Sequence, residues 1–162
     1  MRTDQTAGAL ARLFGELVDG VSSSGFVLNT GDIGLLRSLE NLSAADASRS
    51  ANDGATIAAH AQHVRYGLSL MNRWAAEGGN PFADATWDAA WRISTVNDAE
   101  WQEIRDGLRG ETERWQQALR TPREVTNIEL TGMIGSVAHL AYHLGAIRQI
   151  ATGARGPKEG TF

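Results

Sequence analysis

The sequence predicts an all-α protein, a four-helix bundle with a long connection between its second and third helices. Three observations carry that expectation. Apolar residues recur at intervals of three and four, glycine and proline fall where those periodic stretches end, and no stretch alternates convincingly as a strand does. The 162 residues suit one domain, expected over 1–153, with ARGPKEGTF (154–162) as a flexible tail.

The first helix is expected from about Thr3 to Val18, with Leu10, Leu13, Phe14 and Leu17 on one face and SSSG ending it. A shorter satellite helix follows TGD, a sequence suited to a helix start, and carries Ile33, Leu35, Leu36, Leu39 and Leu42. After NDG comes ATIAAHAQHVRYGLSLMNRWAAE, halted by Gly78-Gly79. Its apolar face holds Ile57, His60, Ala61, Val64, Gly67, Leu68 and Met71.

Residues 78–97 read as the longest connection, with a short helix around Trp87–Trp91. Ordinary bundle turns use about 2–8 residues. A connection this long can carry the chain back along the bundle, so that the helices flanking it run parallel. Asp98 is the expected N-cap of the third long helix, with Glu100 in its first turn and Pro122 beyond its end. Trp101, Ile104, Leu108, Trp115 and Leu119 are its apolar residues. The fourth helix is expected from about Glu129 to Ala151 with Gly153 as cap, its core stripe being Met133, Val137, Leu140, Leu144 and Ile147.

Composition narrows the function. Net charge is -4 and the only lysine is Lys158, so no basic stripe argues for nucleic acid. The chain has no cysteine, which excludes disulfides, thiolate ligands and a cysteine nucleophile within it. The N-terminal residues mix acidic groups with a helical rhythm, so no signal peptide is expected. No stretch approaches the roughly 20 apolar residues that span a bilayer. A cytoplasmic protein is the default expectation.

The four histidines form two pairs, His60/His63 and His139/His143, spaced by three and by four. Four residues scattered at random in such a chain would form two such pairs in about one case in 600. On a helix, side chains at i and i+4 project side by side with Cβ atoms about 5–6 Å apart, so two imidazoles can converge on one cation. A third ligand from another helix leaves a coordination position open, the usual layout of a catalytic zinc site. In the fourth helix His139 and His143 flank the core stripe beside Gly132, Ser136 and Ala146, small residues that leave room. In the second helix His60 lies nearer the centre of the apolar stripe and His63 at its edge; geometry leaves either as the third ligand. Tyr66 and Gln62 stand near enough to His63 to support it.

GATIAAHAQHVRYGLSLMNRW followed by HLAYHLGAIRQ resembles the DinB/YfiT-like superfamily of metal-dependent helical bundles over roughly Thr3 to Thr152. The resemblance implies one histidine from the second helix and an HxxxH pair from the last. The family's serine or threonine seven positions before the first histidine corresponds to Thr56, which selects His63, and the pair corresponds to His139 and His143, followed by Gly145. Where many members have glutamine after that glycine, this chain has Ala146, with Gln149 nearby.

The resemblance further implies a divalent metal (zinc or nickel foremost, otherwise iron or manganese), a low-molecular-weight thiol as cosubstrate in some relatives, a small-molecule substrate and a homodimer. The expected function is metal-activated nucleophile chemistry, either thiol transfer or hydrolysis. The rival is a non-catalytic bundle whose histidines bind metal for stability or satisfy one another. No ExxH or HExxH occurs, which argues against a di-iron carboxylate bundle and a zincin protease. The five tryptophans are expected to pack along the third helix and under the long connection, with a wall over the metal pocket as their functional reading. Arg65, Arg92 and Arg148 are the candidates for holding an anionic substrate.

Overall fold

The structure, a computed structural model, describes residues 3–154, with side chains from residue 6 onward. Among these residues the fold is all-helical. Four long helices form its body: α1 (Thr3–Asp19), α4 (Ile57–Glu77), α6 (Asp98–Arg120) and α7 (Asn127–Ile150). Three short ones, α2 (Gly34–Glu40), α3 (Ala44–Ala47) and α5 (Asp88–Trp91), lie in the connections, and a 3-10 turn closes the described chain at Thr152–Ala154. The long helices α1 and α4 each pack against both α6 and α7, with α4 against α6 the most extensive pairing.

The helix starts follow local chemistry. Thr56 caps α4 by accepting from Ala59 N–H at 3.2 Å. Its hydroxyl donates to the Ile93 carbonyl at 2.8 Å, which ties the end of the α4–α6 connection to the start of α4. Asn97, not Asp98, caps α6: its side chain accepts from Glu100 N–H while the Glu100 carboxylate accepts from Asn97 N–H. This reciprocal capping box satisfies two otherwise orphaned donors, which a cap at Asp98 would forgo. Thr126 and Glu129 form the same box for α7, so that helix begins two residues earlier than expected. It ends at Ile150 with Ala151 as its C-cap, and the 3-10 turn that follows displaces Gly153 from the capping role.

The TGD reading also needs correction. Asp32 does not cap α2, whose N-cap is Ile33 without a side-chain bond. The Asp32 carboxylate instead accepts from Asn29 N–H and pairs with Arg148 of α7 at 3.2 Å. Counted with its short helices, the segment of residues 20–56 is longer than that of residues 78–97. It is pinned by Glu16 of α1, whose carboxylate accepts the backbone N–H groups of Phe26, Val27 and Leu28.

The core joins the expected stripes. Phe14, Leu17, Leu35, Leu39, Ile57, Leu108, Leu140 and Ile147 are fully buried. Two indoles sit among them, each with its N–H satisfied: Trp101 donates to the Leu42 carbonyl and Trp115 to Ser136 Oγ, both at 2.9 Å. Truncating a fully buried aromatic such as Phe14 to alanine costs about 3–5 kcal/mol. Ala154 is buried too, and its carbonyl accepts from Ser38 Oγ. The rest of the expected tail, 155–162, lies outside the described residues.

Candidate metal centre

The two histidine pairs meet where α4 crosses α7. His63 Nε2 lies 3.1 Å from His139 Nε2, and His143 Nε2 lies 3.0 Å from the same atom. The ligand nitrogens of His63, His139 and His143 all fall within 4.8 Å of one another. His63 and His143 are buried and His139 is half-buried.

His60 is the fourth member, but it faces elsewhere. Its Nδ1 lies 2.9 Å from His143 Nδ1, the nitrogen of that ring opposite the one turned toward His139. His63 points its Nε2 at the convergent nitrogens and His60 stands behind His143.

The donor set fits a cation. A neutral imidazole nitrogen carries either one proton or one lone pair. His139 Nε2 can therefore make one good hydrogen bond to a neighbouring ring, not two at 3.0 and 3.1 Å. Three lone pairs directed at one cation remove that conflict. Metal–nitrogen distances of about 2.0–2.1 Å in a tetrahedral site put ligand nitrogens about 3.3–3.4 Å apart. Small rotations of the rings would reach that spacing.

Electrostatics keeps these rings unprotonated. Burial lowers His63 to about 4, helped by the neighbouring His139 and His60. Burial likewise lowers His143 to about 3, reinforced by His139, His60 and His63. His60 and His139 are lowered by burial as well. Neutral imidazole is the ligating form.

The α4–α6 connection covers the centre. Trp91 stacks on His63 with ring centroids 4.2 Å apart and an angle of 27°, and meets His60 edge-on at 5.5 Å. Trp87 lies 5.4 Å from His63. Both indoles keep an exposed side, Trp91 at 41%. The tryptophans therefore divide: Trp74, Trp101 and Trp115 pack in the core, whereas Trp87 and Trp91 wall the histidines. His63 Nδ1 is buried without a hydrogen-bond partner, so Trp91's face, not a polar contact, holds that ring from its outer side.

Other nominated residues stand apart. Tyr66 Oη accepts from Thr86 N–H and its ring meets Trp87 edge-on, which anchors the connection. Gln62 Oε1 accepts from Arg65, which also faces Glu103. Arg92 pairs with Asp88, and Arg148 with Asp32. The residue that sequence reasoning undervalued is Trp91; its only signal was a position in the one connection that spans from α4 to α6.

No known family model matches the chain, and neither the curated proteins nor the solved structures contain a significant match to it. No helix among the described residues is long and apolar enough to cross a membrane.

Proposed function

We propose that His63, His139 and His143 hold a divalent metal ion and that the protein is a cytoplasmic, metal-dependent enzyme acting on a small molecule. The observation that carries this reading is the convergence of three Nε2 atoms on one point from two helices. Zinc or nickel suits an all-imidazole set best, with iron or manganese as alternatives. When bound, such an ion lowers the pKa of a coordinated water or thiol toward neutrality and so supplies the nucleophile that this cysteine-free chain lacks.

The chain's own part is positional. Two helices fix three ligands, His60 orients one of them, and Trp87 and Trp91 shield the cluster from bulk water. The four long helices, taken as a bundle with a connection folded over the site, agree with the DinB/YfiT-like resemblance, which belongs to this proposal. Thiol transfer and hydrolysis are its two chemical branches. A homodimer belongs to it as well, and α7 supplies exposed Ile134 and Tyr142 for such an interface.

A non-catalytic closed site would need a fourth protein ligand. The nearest candidate, His60, directs its Nδ1 at the back of His143, which favours an open position. Metal analysis of untagged protein, with His139→Ala/His143→Ala as control, tests the centre. About one equivalent of metal is expected in the wild type and none in the variant; equal metal content in both refutes the reading. Spectra of the cobalt-substituted protein should shift on adding a small thiol or azide, and an unresponsive spectrum would favour the structural role.

A further inference from the structure

Beside His139 lies a cavity of about 240 Å³. Its walls come from α4 (Leu68, Met71), the connection (Phe82, Trp87) and α7 (Gly132, Leu140). It adjoins a second cavity, of about 320 Å³, that reaches Trp74, Pro81 and Ile128; Met71, Phe82 and Gly132 line both. Together they form a trough leading away from the histidine centre between α4, the connection and α7.

The lining chemistry is one-sided. Among the described residues, His139 is the only ionisable one on the first cavity and Glu129 the only one on the second. Glu129 is already engaged, by Thr126 N–H and Trp74 Nε1. No cationic side chain among the described residues lines either cavity; Arg65 and Arg92 line a separate one. An anionic group in the trough would therefore lose its water and meet no cationic lining residue, the nearby Arg123 lying over Trp74 beside Glu129.

Glycines keep the trough open. A Cβ at Gly132 would sit 3.5 Å from Met71 Cε, and one at Gly135 would meet nothing within 4 Å. At Gly67 a Cβ would come 3.6 Å from His139 Cε1 and 3.7 Å from Trp87 Cζ3. Glycine inside a helix costs about 0.8–1.0 kcal/mol relative to alanine, yet three of them border this one space. At the far end Ile128 is 81% exposed and Phe82 43%, a paired apolar surface.

We infer that this trough binds the uncharged, apolar body of a small-molecule ligand whose polar head reaches the histidine centre beside His139. The placement of the head rests on the metal reading; the apolar body does not, and it has a test that needs no metal.

Calorimetric titration of the full chain, freed of metal, with straight-chain alcohols from butanol to octanol reads the trough alone. Affinity should rise about three- to fourfold per methylene, as apolar burial requires, and a carboxylate of equal length should bind more weakly than its alcohol. In Gly132→Leu that dependence on chain length should be lost. Gly135→Leu, where a side chain meets no neighbour, is the second variant should the first perturb packing. Affinity that is flat with chain length, or a carboxylate that binds more tightly, overturns the inference, as does a chain-length dependence unchanged in both leucine variants.

Alkanethiols added to the cobalt-substituted protein then place the head. A sulfur-to-cobalt absorption band whose midpoint falls with chain length supports it, and a band insensitive to chain length overturns it. Failure to take up cobalt removes the metal reading, while the alcohol series still decides the trough.

Discussion

His60 Nδ1 lies 2.9 Å from His143 Nδ1, on the edge of the His143 ring opposite its Nε2. If His143 ligates through Nε2, its proton must sit on Nδ1, and His60 is the group that accepts it. Such partners fix the tautomer and ring orientation of a ligand, and their loss typically lowers metal affinity 10–100-fold. His60→Ala should therefore weaken zinc binding by roughly that factor, with the fold intact by circular dichroism, whereas His63→Ala or His139→Ala should abolish it. Competition titration against a chromophoric chelator measures the difference. Equal losses at His60 and His63 would make His60 a ligand.

Trp91 supports His63 by its face alone, since His63 Nδ1 has no polar partner. An aromatic stack of this kind contributes about 0.5–1.5 kcal/mol beyond area burial. Trp91→Ala should accordingly speed metal dissociation about 2- to 10-fold, and Trp91→Phe should restore most of the loss. Stopped-flow chelation reads both. If dissociation were unchanged in Trp91→Ala, the connection would have no part in holding the centre.

The helices and the grouping of the histidines were legible because both depend on short-range periodicity. Met133, Val137, Leu140, Leu144 and Ile147 repeat at helical spacing and are buried as expected, and His139/His143 lie one turn apart on any helix that contains them. What was not legible depended on which partner each polar group finds across the fold. Asp32 reads locally as a cap but pairs with Arg148, 116 positions away. Asp98 reads as a cap, but the adjoining Asn97 makes two bonds with Glu100. His60 and His63 both sit on the inner face of α4; only the crossing with α7 decides which one turns its nitrogen to the centre. The trough needs three separate segments to be placed before it exists at all.

Glu16 fixes the α1–α2 connection through three backbone N–H groups at 2.6–2.9 Å. Burial alone would raise its pKa, but those bonds, with Arg12 nearby, leave it below the usual carboxylate value. Glu16→Ala strands three donors, that of Leu28 buried and those of Phe26 and Val27 part-buried, and each unsatisfied donor costs about 1–3 kcal/mol unless water replaces the carboxylate. A net loss of about 2–4 kcal/mol is expected in urea unfolding. A change below about 0.5 kcal/mol would mean that the segment rearranges freely. Hydrogen exchange at Val27 and Leu28 should accelerate in the same variant.

The histidine cluster makes the metal-free protein sensitive to acid in a defined window. In the unfolded chain each imidazole takes up a proton near 6.5, whereas in the fold His63 does so at about 4 and His143 at about 3. Between those values the unfolded state binds more protons, so stability is full above about 6.5 and falls as the pH drops toward 3. Each such histidine contributes at most about 1.4 kcal/mol per pH unit inside the window. Urea midpoints measured in chelator should therefore be lower at pH 5 than at pH 7.5. His63→Phe/His143→Leu should reduce that difference, because the two most strongly shifted groups are gone while His60 and His139, also lowered by burial, remain. A bound divalent ion should raise the pH 7.5 midpoint, by about 2.7 kcal/mol of stability at 100 times its dissociation constant, and should steepen the pH dependence, because protons compete with the metal for the same nitrogens. Wild-type midpoints that coincide at pH 5 and pH 7.5 would show the rings reaching solvent in the folded state, and the convergence of His63, His139 and His143 would lose its energetic basis.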